Sequence, residues 1–149
     1  MIILAIDPGQ KESGFVYLNT GNKSIIGKGI CENNQLWMQV KEKQYQLLAI
    51  ENIRGYGIVA GDNTFDTCIW IGRFDYEQKA ILISRKDIKK HLCGNITTTD
   101  KYIRQALIDR FGKVGTKKKP GVLFGISGHM WAALAVGVTV MDKYGELDI

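Results

Sequence analysis

Five apolar residues, Ile2 to Ile6, run without a break into Asp7. A short apolar run with turn residues beside it reads as a strand buried on both faces. This one ends in a carboxylate. Pro8 and Gly9 follow, and a turn accounts for both: proline holds the residue before it extended, and glycine supplies positive φ. The turn does not require an acid at the end of a buried strand, since Asn or Ser would serve it equally well.

The rest of the chain alternates in period. Gly14–Asn19 and Ser24–Ile30 read as strands joined through Thr20-Gly21-Asn22, which makes an antiparallel meander with the first strand. Asn34–Lys43 reads as a short helix, and Gln46–Glu51 (QLLAIE) as a second buried strand. A glycine-rich stretch, Arg54 to Asp62, precedes a helix over Thr64–Phe74 with apolar spacing at Phe65, Cys68, Ile69 and Gly72. Ala80–Ser84 is a strand. Thr99–Phe111 is a helix with Thr99 available as its cap and Gly112 past its end. A basic loop, Lys113–Gly125, leads to a last helix from Gly128 to Tyr144, which Ser127 can cap and Gly145 closes. Three strands followed by alternating helices and strands predict a mixed α/β sheet in a single domain over residues 1–149.

Glu51 repeats the oddity of Asp7, because it too closes a buried strand. If the two strands are parallel neighbours, both carboxylates reach the sheet edge where open α/β sheets build ligand sites. Neighbouring strands lie roughly 4.8 Å apart. Two carboxylates that close repel unless a cation lies between them, and an oxygen-rich site suits Mg²⁺ or Mn²⁺. His129 opens the last helix, where the helix dipole disfavours imidazolium and keeps the ring competent as a ligand. A lone histidine at a helix end need have no task. Together with the two acids it reads as a third ligand.

These features, in this order, resemble the RuvC-type Holliday junction resolvases of the RNase H-like superfamily. The resemblance rests on DPG closing the first strand, a later strand ending IE, and a small-residue helix opened by His129 and reading ALA. The stretches FDTCIWIGRF, HLCG and IRQALIDRFG, and GTKKKPG before GHMWAALAV, are similar to a compact RuvC-like branch found in phages and bacteria. The resemblance implies an RNase H-like five-stranded mixed sheet flanked by helices. It implies a metal-dependent endodeoxyribonuclease that resolves four-way DNA junctions by paired nicks, leaving 5′-phosphate and 3′-hydroxyl ends. It also implies two Mg²⁺ or Mn²⁺ ions per site, held by Asp7, Glu51 and His129. A homodimer follows, since a two-fold symmetric junction calls for two sites. The sequence departs from the family at Ala132, where many members carry a second carboxylate on the same helix face as position 129. Asp66 could assist, or could simply be a polar helix position.

Lys117, Lys118 and Lys119 form a run just before the His129 helix. Lys101 and Arg104 make a second basic edge, and Arg85, Lys86, Lys89 and Lys90 a third cluster. Arg54 and Tyr56 follow Glu51 in the glycine-rich loop, which in related resolvases reaches the junction centre. Such contacts supply salt-dependent affinity rather than sequence choice. The net charge of +5 is compatible with a polyanionic partner. Trp37, Trp70 and Trp131 read as core or interface residues, and His91-x-Cys93 as half a zinc site with no other half. Three widely spaced cysteines read as reduced core thiols of a cytoplasmic protein. The longest apolar stretch, Met130 to Met141, is twelve residues, too short to span a membrane. Two other readings remain: a nuclease of broader taste for flaps, branched DNA or RNA–DNA hybrids, and a junction-binding protein with an impaired site. An actin-like kinase, which also opens with strand-Asp-x-Gly, needs a duplicated domain that 149 residues do not supply.

Overall fold

The computed structural model describes residues 1–57 and 59–145. Ten elements follow one another: β1 (Ile2–Asp7), β2 (Glu12–Asn19), β3 (Ser24–Glu32), α1 (Asn33–Glu42), β4 (Leu47–Asn52), α2 (Asp62–Glu77), β5 (Ile81–Ser84), α3 (Arg85–Cys93), α4 (Asp100–Phe111) and α5 (His129–Tyr144). The strands form one sheet in the order β3-β2-β1-β4-β5. The first three are antiparallel neighbours, and β1, β4 and β5 run parallel. This is the expected mixed five-stranded sheet flanked by helices.

The unbroken apolar run of β1 is explained by two cores. Ile3 and Ala5 pack on the α5 side with Val16, Leu18, Leu47 and Ala49, while Leu4 and Ile6 pack on the other side with Leu48, Ile50, α1 and α2. Side chains alternate across a strand. Asp7 therefore continues the Ile3–Ala5 series, and Glu51 the Leu47–Ala49 series, so both acids belong to the face that α5 covers. The register makes them neighbours, since Ile6 pairs with Ile50 immediately before them.

Several boundaries and faces depart from the sequence reading. Helix α3 was not anticipated. Ser84 caps it, its hydroxyl accepting from Asp87 N at 3.2 Å and donating to Asp87 Oδ2 at 2.7 Å. Thr99 stands at the N-cap of α4 without a side-chain bond, and the cap residue of α5 is Gly128, at φ +50°, rather than Ser127. Helix α2 buries Thr67, Ile71 and Phe74, not the expected stripe. Phe65, Ile69 and Tyr76 are exposed instead, as is Cys68. Cys31 and Cys93 are half-buried, so the three thiols are free but none belongs fully to the core. No helix among the described residues is long and apolar enough to cross a membrane.

Candidate functional site

Asp7, Glu51 and His129 line a single cavity of about 400 Å³ together with Arg85, Asp100, Arg104, Gly128, Trp131 and Ala132. Its floor is the C-terminal edge of β1 and β4, and its walls are the starts of α4 and α5. Asp7 is buried, and its Oδ2 meets His129 Nδ1 at 2.7 Å. In the tautomer that donates Nδ1–H to Asp7, Nε2 presents a lone pair outward, and the imidazole is more than half exposed. Glu51 accepts from Arg85 Nη1 at 3.1 Å. Arg85 Nη2 donates to Asp100, so one guanidinium spans two carboxylates.

The cationic neighbours of the two acids do not offset their burial. Burial, followed by the charge of Asp7, pushes Glu51 up to about 7, although Arg85 pulls it down. Burial also raises Asp7, against the opposing pull of His129. Two carboxylates and an imidazole are the donor chemistry of a hard divalent cation. Among the described residues, however, no three such side chains are spaced to hold a metal ion together. In this arrangement His129 is paired with Asp7, and Glu51 with Arg85.

Local structure fixes the floor. Gly9 N donates to Ser13 Oγ at 3.1 Å, Ser13 Oγ donates to Asn33 Oδ1 at 2.5 Å, and Asn33 Nδ2 donates to Gly9 O at 2.9 Å. Ser13 and Asn33 are almost wholly buried, so this closed loop of bonds pins the turn after Asp7. Gly14, paired with Asp7 across β1 and β2, lies beneath the first turn of α5. A Cβ on Gly14 would come within 2.7 Å of the His129 carbonyl and Cβ.

Other candidate residues lie elsewhere. Asp66 is exposed in the second turn of α2, because the helix begins at Asp62, and it does not line the cavity. Arg104 reaches the cavity with its guanidinium 4.9 Å from the Trp131 ring centroid, whereas Lys101, one turn earlier, is exposed outside it. Lys117, Lys118 and Lys119 are exposed at the tip of a loop closed by a bridge between Gly115 and Pro120. Arg54 and Tyr56 are exposed in the loop after β4, where Lys86 Nζ stands 4.1 Å from the Tyr56 ring centroid. Ile58 of that loop lies outside the described residues. Trp37 and Trp70 pack edge-on between α1 and α2, while Trp131 is a cavity wall. His91 binds Asp142, not a cysteine.

Sequence reasoning placed Arg85 in a basic cluster for DNA contact but not beside Glu51, and it missed Asp100, Trp131, Gly14 and the Ser13–Asn33 pair as parts of the cavity and its floor. A cue for Arg85 was present: it follows AILIS as Asp7 follows IILAI, at the end of another parallel strand.

The structure of RuvC from Thermus thermophilus superposes with a TM-score of 0.71 at 15% identity, covering 97% of each chain. The fold is RuvC-like. A second structure, of T. thermophilus RuvC in complex with Holliday junction substrate, matches with a TM-score of 0.66 at 14% identity, over 93% of this chain and 92% of that one. No protein-family profile matches the sequence, nor does any curated protein. The RuvC-like likeness is thus carried by the backbone over nearly the whole chain, not by sequence identity.

Proposed function

We propose that this chain is a metal-dependent endonuclease that resolves four-way DNA junctions by paired nicks. The reading rests on one observation: Asp7, Glu51 and His129, brought from as far as 122 residues apart, line one cavity at a strand edge of a RuvC-like sheet. It is supported by the neighbouring T. thermophilus RuvC, solved with a Holliday junction substrate.

The donor set suits two Mg²⁺ or Mn²⁺ ions, which Asp7, Glu51 and His129 would hold on rearranging from their present pairing with one another and with Arg85. When bound, they would supply an activated water and offset the charge developing on the leaving 3′ oxygen. The chain's own residues prepare the rest. Glu51, which burial and the charge of Asp7 hold up at about 7, would release its proton to solvent as a cation binds. Asp7 orients the His129 ring. Arg104, braced on Trp131, faces the cavity without a carboxylate partner among the described residues. To Lys117, Lys118 and Lys119, Lys101, and the Arg54–Tyr56 loop, none of which lines the cavity, we assign phosphate contacts farther along the DNA.

The symmetry of a four-way junction calls for a C₂ homodimer. The exposed stripe of α2 (Phe65, Cys68, Ile69, Gly72 and Tyr76) is the face we assign to the second copy. Its spacing is that of a helix side meant for burial, yet the core takes the opposite side.

Ala132 in the cavity wall supports a second reading, a junction-binding protein whose site no longer cuts. One experiment separates them: a labelled four-way junction beside matched duplex, flap and RNA–DNA hybrid, with Mg²⁺, Mn²⁺ or EDTA, for wild type and Asp7→Asn. Paired nicks on the junction alone, lost with EDTA or Asp7→Asn while binding persists, support the resolvase. Equal cutting of flaps or hybrids supports a broader nuclease. Tight binding with no cutting under either metal supports the binding protein.

A further inference from the structure

Arg85 is the one cationic side chain that touches the acids of the cavity floor from outside the Asp7–His129 pair, among the described residues. It is the first residue of α3, directly after β5, whose register sets Ile83 beside Glu51 and Ser84 beside Asn52. Its side chain is about three-quarters buried. One arm of the guanidinium holds Glu51, and the other holds Asp100, a carboxylate itself largely exposed.

We infer that Arg85 is a phosphate-contacting residue of this site, and that in the cation-free protein its guanidinium holds the carboxylate a divalent cation would take. The inference rests on the two-cation reading above.

Three features support it. First, a guanidinium stays charged at every accessible pH, and its planar fork fits carboxylate and phosphate oxygens alike. It can therefore exchange one for the other without changing protonation. Second, its single charge is divided between two carboxylates, Glu51 and Asp100, so a doubly charged competitor has something to gain at Glu51. Third, Asp100 is mostly in solvent, which makes it a weak anchor. Once Glu51 is taken, the freed arm already lines the cavity, as Arg104 does. The site then divides its labour: acids for cations, two guanidinium groups for the phosphodiester. A plain structural role, tying β5 to α4, would give Arg85 no influence on cation affinity beyond weakening it.

The test measures Mn²⁺ binding to the DNA-free full chain, by calorimetry and by the electron paramagnetic resonance of free Mn²⁺, for wild type, Arg85→Gln and Arg85→Lys. Single-turnover cleavage of a four-way junction at saturating Mn²⁺ is read alongside. Removing the competing charge is expected to tighten Mn²⁺ binding by about tenfold in Arg85→Gln. The same variant should cleave about 10²-fold more slowly, the loss typical for one donor aimed at developing charge. Arg85→Lys, charged but unable to fork, should fall between. Equal or weaker Mn²⁺ binding by Arg85→Gln overturns the inference and leaves the two-cation reading standing, as does undiminished cleavage. If neither wild type nor Arg85→Gln binds Mn²⁺, the two-cation reading fails and the inference falls with it.

Discussion

His129 Nδ1 stands 2.7 Å from Asp7 Oδ2 because the residue between their elements has no side chain. Gly14 lies on β2 opposite Asp7, beneath the first turn of α5. A methyl group there would meet the His129 backbone, which cannot give way as a flexible side chain tip could. Gly14→Ala should lift the start of α5, cost about 1–3 kcal/mol of stability as an overpacked contact does, and abolish junction cleavage. Thermal unfolding and a cleavage assay check both. Unaltered cleavage would mean that α5 has slack at this end.

The acid pair should make stability fall as pH rises. The folded chain retains on Glu51 a proton that the unfolded chain releases near pH 4.5, and keeps it up to about 7. Between those values the folded state binds more protons, so stability declines through that window and levels off above it. The shift corresponds to roughly 3 kcal/mol. Compared with wild type, Glu51→Gln should gain thermal stability at pH 8 but not at pH 4.5, and cleavage by wild type should rise towards a plateau above about pH 7. Parallel melting curves for the two proteins across that range would place the strain elsewhere.

The lysine loop should act through charge alone. Replacing Lys117, Lys118 and Lys119 by alanine should weaken junction binding and reduce the slope of log affinity against log salt by as much as about 0.9 per lost phosphate contact. Cleavage of bound junction under single-turnover conditions should hardly change. A slope equal to that of wild type would place the loop away from DNA.

The α2 stripe should govern assembly. Ile69→Asp, on an exposed site, should leave the fold intact and convert a dimer to a monomer in sedimentation velocity. A wild-type chain that sediments as a monomer at tens of micromolar would remove the stripe from consideration.

The sheet and the positions of its two acids were legible because strand ends are written locally: an apolar run, then a charge, then a turn. The partner layers were harder to read. In α2 the sequence carries two candidate apolar faces, Phe65–Cys68–Ile69–Gly72 and Thr67–Ile71–Phe74, and periodicity weighs the first more heavily. The sheet chose the second, with Trp70 packed against Phe74, because of where α1 lies. Arg85 was hidden for a different reason. It falls within a cluster of four basic residues on a helix that went unread, and only its place directly after β5 separates the one that turns inward from the three beside it. Strand parity did hold that information for the acids. Ile3, Ala5 and Asp7 share a face with Leu47, Ala49 and Glu51, and α5 covers that face.

The pairing of Asp7 with His129 also has a meaning in time. Residues at the start of the chain wait for a partner made more than a hundred residues later, and the floor beneath them is closed by a serine and an asparagine that arrive early. A chain still emerging from the ribosome can build its meander and pin its first turn, but it cannot assemble the acid–imidazole pair until the last helix docks. The pair therefore forms only after α5 has been made and has docked, and a fragment that stops before that helix would be without it.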